Sequence, residues 1–166
     1  MSEASKTRKR VKLFLKGTNG IDIGCGDDKI TPNCIGVDRV PQKGVNLVWD
    51  ARKLPFTDNT FDWVFSSHCL EDIKEWEKTV QEWTRILKKD GYIILYMPHG
   101  DYYPKAGSEL ANKAHTRDFY PEEVEKVLYK YAHIVTVQTF KPPDGKYDYI
   151  NRGKIEYSFL IVGRKR

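Results

Sequence analysis

The sequence has little cysteine and no long apolar run. Its three cysteines, Cys25, Cys34 and Cys69, are odd in number and do not follow the spacing of a zinc site. This argues against a disulfide scaffold, and we expect a reduced, cytoplasmic setting without a bound metal. No segment approaches the ~20 apolar residues that cross a bilayer. The polar, basic residues 1–10 also lack the apolar stretch of a secretory signal, so we expect no membrane span.

What is present is the composition of a globular protein. Hydrophobic residues make up 40%, charged residues 31% and aromatic residues 13% of the chain, a balance typical of a packed core. The 166 residues correspond to about one domain, and we expect residues 1–166 to form it. The net charge is +5, with basic clusters at 6–16 and 164–166. Such clusters attract phosphates, but a solvated surface is the simpler interpretation.

Short apolar runs alternate with helical patterns along the chain. Strands are predicted at residues 21–23, 34–38, 45–49, 61–67, 92–97, 134–140 and 155–162. Helices are predicted from Trp76 to Leu87, where apolar residues recur at helical spacing, and from Pro121 onward; residues 11–16 fit either a helix or a strand. This order predicts an α/β fold whose mainly parallel sheet carries helices on both faces.

The strongest functional signal is a glycine loop after the first predicted strand. The sequence Asp22-Ile23-Gly24-Cys25-Gly26 leaves that strand, and Asp38 ends the next one. Glycine lets a backbone approach a ligand closely, and loops at the carboxyl ends of parallel strands are where open α/β sheets bind ligands. An acid at the end of the second strand can accept hydrogen bonds from both hydroxyls of a ribose. The combination indicates a cofactor that contains adenosine.

The loop does not fit a dinucleotide. The third glycine of the G-x-G-x-x-G pattern is missing, and Asp27 and Asp28 would repel a pyrophosphate. A cationic cofactor without phosphate fits better, so a dehydrogenase is disfavoured.

Together with four further segments, this loop resembles the class I S-adenosylmethionine-dependent methyltransferases, in particular the small ubiquinone-biosynthesis-like branch (methyltransferase type 11). The matching segments are residues 22–26, 36–38, 50–56, 61–72 and 85–92. The resemblance implies a Rossmann-like, seven-stranded, mainly parallel sheet whose last strand is antiparallel, with a reduced N-terminal segment. Two departures are Asp28, where a third glycine is often found, and Asp90, where proline is usual.

The resemblance also implies nine residues that hold S-adenosylmethionine, or S-adenosylhomocysteine as the product: Asp22, Gly24, Cys25, Gly26, Asp38, Asp50, Ala51, Ser66 and Ser67. The glycine loop would lie against the methionine part, and Asp22 would help to hold its ammonium group. Asp38 would bind the ribose hydroxyls, and residues 50–51 would meet the adenine. Residues 66–67 would flank the methionine and the exit of the methyl group.

Histidines near the ends of strands are candidates for a general base. His68 follows the fourth predicted strand and is the leading candidate, although capping of that strand explains it equally well. His99 follows the fifth strand and is a weaker candidate, as is His115, whereas His133 is more typical of packing or surface. Three tyrosines either line an acceptor pocket or pack a loop: Tyr102, Tyr103 and Tyr120. Four tryptophans are expected in the core: Trp49, Trp63, Trp76 and Trp83.

These observations favour an enzyme that methylates an oxygen or nitrogen of a small-molecule or sugar-like acceptor. One alternative is a non-catalytic, cofactor-binding subunit of the same fold. A nucleic-acid methyltransferase is disfavoured, because Ser66-Ser67-His68-Cys69 stands where base-methylating enzymes carry N/D-P-P-Y/F. Substrate choice is expected to come from the 99–115 and 141–154 loops, the basic N-terminus or a neighbouring subunit of a homo-oligomer.

Overall fold

The computed structural model describes residues 2–148, 150–151 and 154–166. The predicted 141–154 loop therefore contains three residues outside the described ones, Tyr149, Arg152 and Gly153, and Met1 of the predicted domain is also outside them. No helix within the described residues is long and apolar enough to cross a membrane.

The described residues contain seven strands that form one sheet. The strands are β1 (Gly20–Ile23), β2 (Ile35–Asp38), β3 (Leu47–Val48), β4 (Phe61–Ser67), β5 (Leu87–Pro98), β6 (Ala132–Thr139) and β7 (Ser158–Lys165). Their order is β3-β2-β1-β4-β5-β7-β6. The first five strands pair in parallel, and β7 is antiparallel to both β5 and β6. This confirms the predicted α/β class and the mainly parallel, seven-stranded sheet with an antiparallel last strand.

Helices cover both faces of the sheet, as predicted. One face carries α2 (Trp76–Ile86) and α3 (Pro121–Leu128), and the other carries α1 (Glu3–Val11). Alternate residues of β4 enter opposite cores: Val64 packs under α2 and α3, whereas Trp63 and Phe65 pack on the side of α1.

Residues 11–16 fit either a helix or a strand in the sequence. In the structure only Val11 of this segment is helical, as the last residue of α1. The side chain of Ser2 caps the helix by accepting a hydrogen bond from the Ser5 backbone N–H at 3.1 Å. Buried Ala4, Thr7 and Val11 form its inner stripe. The rest of the helix is strongly charged, so its short apolar stripe was too sparse to predict it from the sequence.

Several predicted element boundaries are wrong. The strand predicted at 92–97 begins earlier, at Leu87, and the one predicted at 45–49 is reduced to Leu47–Val48. The strand predicted at 155–162 begins at Ser158. The Ile155 carbonyl accepts a hydrogen bond from Lys6 Nζ at 3.1 Å, so this segment is tied to α1 instead of the sheet.

The early start of β5 has a local cause. Phe61 pairs with Leu87 and Trp63 pairs with Tyr92, so residues 88–91 form an irregular insertion within the strand. Asp90 lies in this insertion with a φ of 65°. The helix α2 ends at Ile86, and the chain continues directly into β5 at Leu87.

Candidate functional site

A cavity of about 730 Å³ opens beside the carboxyl ends of β1, β2 and β4. Its lining includes Gly24 after β1, Asp38 at the end of β2 and His68 after β4. The strand order changes direction here, because β2 and β4 lie on opposite sides of β1. Open α/β sheets bind ligands at such a switch point, and this volume is typical of small-molecule sites.

The glycine loop forms one wall through its backbone. Gly24 has a φ of 74°, and a Cβ atom on it would lie 2.5 Å from Cys69 Cβ and 2.6 Å from Cys69 Sγ. Its backbone N–H donates to the Val37 carbonyl at 2.8 Å, which fixes the turn against β2. A glycine at position 24 is therefore required both by the left-handed backbone and by the close approach of Cys69.

Asp38 is oriented by the backbone on both sides. Its Oδ2 accepts a hydrogen bond from the Gly26 N–H at 2.9 Å, and its Oδ1 accepts one from the Val40 N–H at 3.0 Å. Each carboxylate oxygen can accept further hydrogen bonds. The half-buried carboxylate thus presents an ordered pair of acceptors to the cavity.

The segment after β3 forms the opposite wall. Asp50 accepts hydrogen bonds from Arg52 Nε at 3.0 Å and Nη2 at 2.7 Å, and this guanidinium lowers the pKa of the Asp50 carboxyl. The Ala51 carbonyl accepts a hydrogen bond from Trp83 Nε1 at 2.9 Å, which anchors the segment on α2. Trp49 is 46% exposed and lines the cavity, so its prediction as a core residue was wrong, because β3 is an edge strand.

Other predicted cofactor residues do not line this cavity. Asp22 is buried, and its Oδ2 accepts a hydrogen bond from the Ile30 N–H at 2.6 Å. Burial raises the pKa of Asp22 to about 7. Ser66 Oγ donates to the Ile23 carbonyl at 2.8 Å, and Ser67 Oγ is buried without a hydrogen-bond partner among the described residues. Cys25 and Gly26 lie in the loop but are likewise outside the lining.

The structure thus brings Gly24, Asp38, Asp50 and Ala51 together around one cavity, and it places Asp22 and Ser66 behind the glycine loop. There they fix the loop through its backbone groups. Their predicted contact with the cofactor stays a prediction.

Of the predicted histidines, His68 lies at the cavity and His99 does not. His68 has a left-handed backbone with a φ of 49°, and its Nε2 is 2.9 Å from Ser158 Oγ. Burial lowers the pKa of His68 to about 3, so the ring is neutral at physiological pH. His99 is buried, and its Nδ1 accepts a hydrogen bond from the Asp101 N–H at 3.1 Å. His99 therefore fits a structural role better than a catalytic one.

The sequence analysis missed a buried acid beside His68. Glu71 belongs to the short 3-10 turn Leu70–Asp72, and burial raises its pKa to about 8. The carbonyl of Glu71 accepts hydrogen bonds from the Thr116 backbone N–H at 2.8 Å and from Thr116 Oγ1 at 2.9 Å. No local pattern signals this burial, because the loop that covers Glu71 is 45 residues away in sequence.

Comparisons with known proteins show which proteins this chain is similar to. Residues 21–95 match the family model described as a methyltransferase domain. The ubiquinone/menaquinone biosynthesis C-methyltransferase UbiE of Chromobacterium violaceum is 30% identical over 107 residues, which are 54% of this chain and 44% of that protein. The chain covers less than half the length of such curated relatives.

Two solved structures show the same fold. One is a methyltransferase of Thermotoga maritima, described as a possible histamine N-methyltransferase, with a TM-score of 0.74 and 23% identity over 98% of this chain and 89% of that one. The other is the 1,6-didemethyltoxoflavin-N1-methyltransferase of Burkholderia thailandensis with bound 1,6-didemethyltoxoflavin and S-adenosylhomocysteine. It has a TM-score of 0.72 and 16% identity over 99% of this chain and 78% of that one. The comparisons confirm the resemblance seen in the sequence.

Proposed function

We propose that this chain, which carries a methyltransferase domain over residues 21–95 within a class I methyltransferase fold, binds S-adenosylmethionine and transfers its methyl group to a small molecule. The observation that carries the proposal is the cavity at the switch point of the sheet, where Gly24, Asp38 and residues 50–51 converge.

The residues at the cavity fit the cofactor. The oriented carboxylate of Asp38 suits the two hydroxyls of a ribose, and the half-exposed Trp49 offers an apolar wall for an adenine. Gly24 lines the cavity with its backbone alone, because Cys69 occupies the space that a side chain at position 24 would need. Asp72 adds a further carboxyl group to the cavity lining, which also contains the cationic side chains of Arg39, Arg52 and Lys74.

When bound, S-adenosylmethionine supplies a methyl group activated by its sulfonium. The protein then contributes mainly position and orientation. His68 adds a neutral imidazole at the cavity. Because burial lowers its pKa, the ring can pass on a proton from an acceptor O–H or N–H group but does not retain it. The similar proteins include both N- and C-methyltransferases, so the type of atom that is methylated differs among them. A small-molecule acceptor is consistent with the Burkholderia thailandensis structure.

Isothermal titration calorimetry with S-adenosylhomocysteine tests the proposal. We expect one binding site per chain, and we expect Asp38→Ala to weaken binding by roughly 10–100-fold, because hydrogen bonds to a charged group are lost. Asp27→Ala is the matched control, since Asp27 is an exposed acid of the same loop outside the cavity lining. Circular dichroism would verify that both variants fold. Unchanged affinity in Asp38→Ala would remove Asp38 from the site, and no binding by the wild type would overturn the proposed function.

A further inference from the structure

Glu71 is a buried carboxyl group that binding of the cofactor does not explain. Its side chain is 0% exposed, and neither carboxyl oxygen has a hydrogen-bond partner among the described residues. Leaving a buried acid unpartnered is costly, because the group loses water without gaining a hydrogen bond. Such a group in a well-packed core calls for a functional account.

Two imidazoles face the same oxygen of Glu71. His68 Nδ1 lies 3.7 Å and His115 Nε2 lies 3.6 Å from Glu71 Oε1. These distances are just beyond hydrogen-bond length, and a small side-chain rotation would close either one. The side chains of the two histidines are only 13% and 6% exposed, so the three groups interact with little screening by water.

Several other charged or titratable groups face the three: Glu3, Lys6, Cys69, Asp72, Tyr96, Tyr103 and Asp118. Arg39 in turn lies near Asp72. Lys6 is itself paired with Glu3 at 2.8 Å. Burial outweighs these charges, so it holds the pKa of Glu71 near 8 and that of His68 near 3. At neutral pH, Glu71 therefore keeps its proton and both rings are neutral.

The cluster lies directly behind the cavity. His68 and Asp72, on either side of Glu71 in the turn, both line the cavity, as do Gly24 and Thr116. A positive charge in the cavity is therefore separated from Glu71 by a single layer of side chains. In such an environment, a unit charge at ~8 Å lowers the pKa of an acid by roughly 1–2.

We propose that Glu71 is a positioning residue that acts through His68. It holds a proton when the cavity carries no positive charge, and it is ionised when a cation occupies the cavity. The inference rests on the proposed function. Glu71 releases its proton when the cationic cofactor is bound, and it takes up the proton that the acceptor loses in methyl transfer. That proton passes through His68, whose Nδ1 faces Glu71 and whose Nε2 exchanges its contact with Ser158 Oγ for one with the acceptor. This specifies the acceptor as a compound with a removable O–H or N–H proton.

The step balances in atoms and charge. The acceptor O–H or N–H bond breaks, and a bond forms from that heteroatom to the methyl carbon. The electron pair of the broken carbon–sulfur bond stays on sulfur. The freed proton neutralises the Glu71 carboxylate as the positive charge on sulfur disappears, so the buried region is neutral overall before and after the reaction.

Proton counting by calorimetry tests this without an acceptor. Binding of S-adenosylmethionine and of S-adenosylhomocysteine to the full chain would be titrated at pH 7.5 in buffers of different ionisation enthalpy. We expect S-adenosylmethionine to release about 0.5 proton more per chain than S-adenosylhomocysteine, because only the former carries the additional positive charge. Glu71→Gln should remove this difference while both cofactors still bind.

The ammonium groups of the two cofactors change the number of released protons equally in wild type and variant. The decrease in proton release caused by Glu71→Gln therefore measures the contribution of Glu71. Glu77→Gln, an exposed acid of α2 paired with Lys130, is the control that should retain the difference. Should Glu71→Gln fail to fold, infrared difference spectra of Asp22→Asn, which lacks the other buried carboxyl with a raised pKa, would show the loss of a protonated carboxyl band with S-adenosylmethionine alone. Equal proton counts in the wild type, or a difference that survives Glu71→Gln, would overturn the inference. Binding of neither cofactor would instead overturn the proposed function.

Discussion

At the scale of single residues, Asp22 shows how a buried acid holds the glycine loop. Its carboxylate accepts a short hydrogen bond from the Ile30 N–H, so the two ends of the segment between β1 and Ile30 are tied together. Burial is the main reason that its pKa rises, with the hydrogen bond opposing the rise. Asp22 therefore supports the loop at a cost in stability when it is ionised.

This cost predicts a pH dependence. The folded pKa of Asp22 is about 7, above its ordinary value of 3.8, so between these limits the folded state binds more protons than the unfolded state. The free energy of unfolding should fall as pH rises through this range, by about 2–3 kcal/mol from pH 5 to pH 8 for this group alone. Asp22→Asn keeps an acceptor for Ile30 but cannot ionise. Urea unfolding at pH 5 and pH 8 should therefore show a smaller decrease in the variant, and an equal decrease would contradict the assignment.

Residues whose roles depend on local chain geometry could be predicted from the sequence, and those whose roles depend on distant packing could not. Gly24 and Asp38 follow directly from the spacing of two strand ends, and both line the cavity. Glu71 has an ordinary sequence context, and only the loop around Thr116 makes it buried. Trp49 resembles a core residue until the strand order places it at an edge.

At the scale of elements, the insertion within β5 restricts which residues can stand at position 90. Its φ of 65° is closed to proline, whose ring fixes φ near −65°. The same conformation is one that glycine adopts without strain. The backbone of this insertion thus determines which residues position 90 accepts. The sequence predicted a helix followed by a strand, and it did not reveal the insertion.

Two substitutions at position 90 test whether the positive φ is required, one that forbids this φ and one that allows it. Asp90→Pro should lower the free energy of unfolding by ~3 kcal/mol or more. Asp90→Gly should change it by less than about 1 kcal/mol, since the ion pair of Asp90 with Arg164 is exposed and contributes little. Chemical denaturation of both variants would provide the comparison. A proline variant as stable as the wild type would show that the positive φ is not required.

At the scale of the whole molecule, the cavity joins loops that follow three different strands. A ligand there contacts the ends of β1, β2 and β4 at once, so its binding energy should add to global stability. With S-adenosylhomocysteine at ~100 times its dissociation constant, the free energy of unfolding should rise by about 2.7 kcal/mol. This corresponds to a melting temperature higher by roughly 5–10 °C in a domain of this size.

Differential scanning calorimetry with and without S-adenosylhomocysteine would measure this shift. The same ligand concentration should shift the melting temperature of Asp38→Ala by at most about half as much, because a 10–100-fold weaker affinity leaves only roughly 0.4–1.4 kcal/mol of stabilisation. A shift of equal size in wild type and variant would place the ligand elsewhere on the molecule.

The position of β7 has a consequence for synthesis. β7 follows all the other strands along the chain, yet it lies between β5 and β6 in the sheet. While a ribosome is still making this segment, β5 exposes an unpaired edge and β6 has no strand to join. Such an edge is prone to pairing with other chains. The nascent protein therefore passes through a stage in which a chaperone that shields strand edges would raise the yield of the native fold.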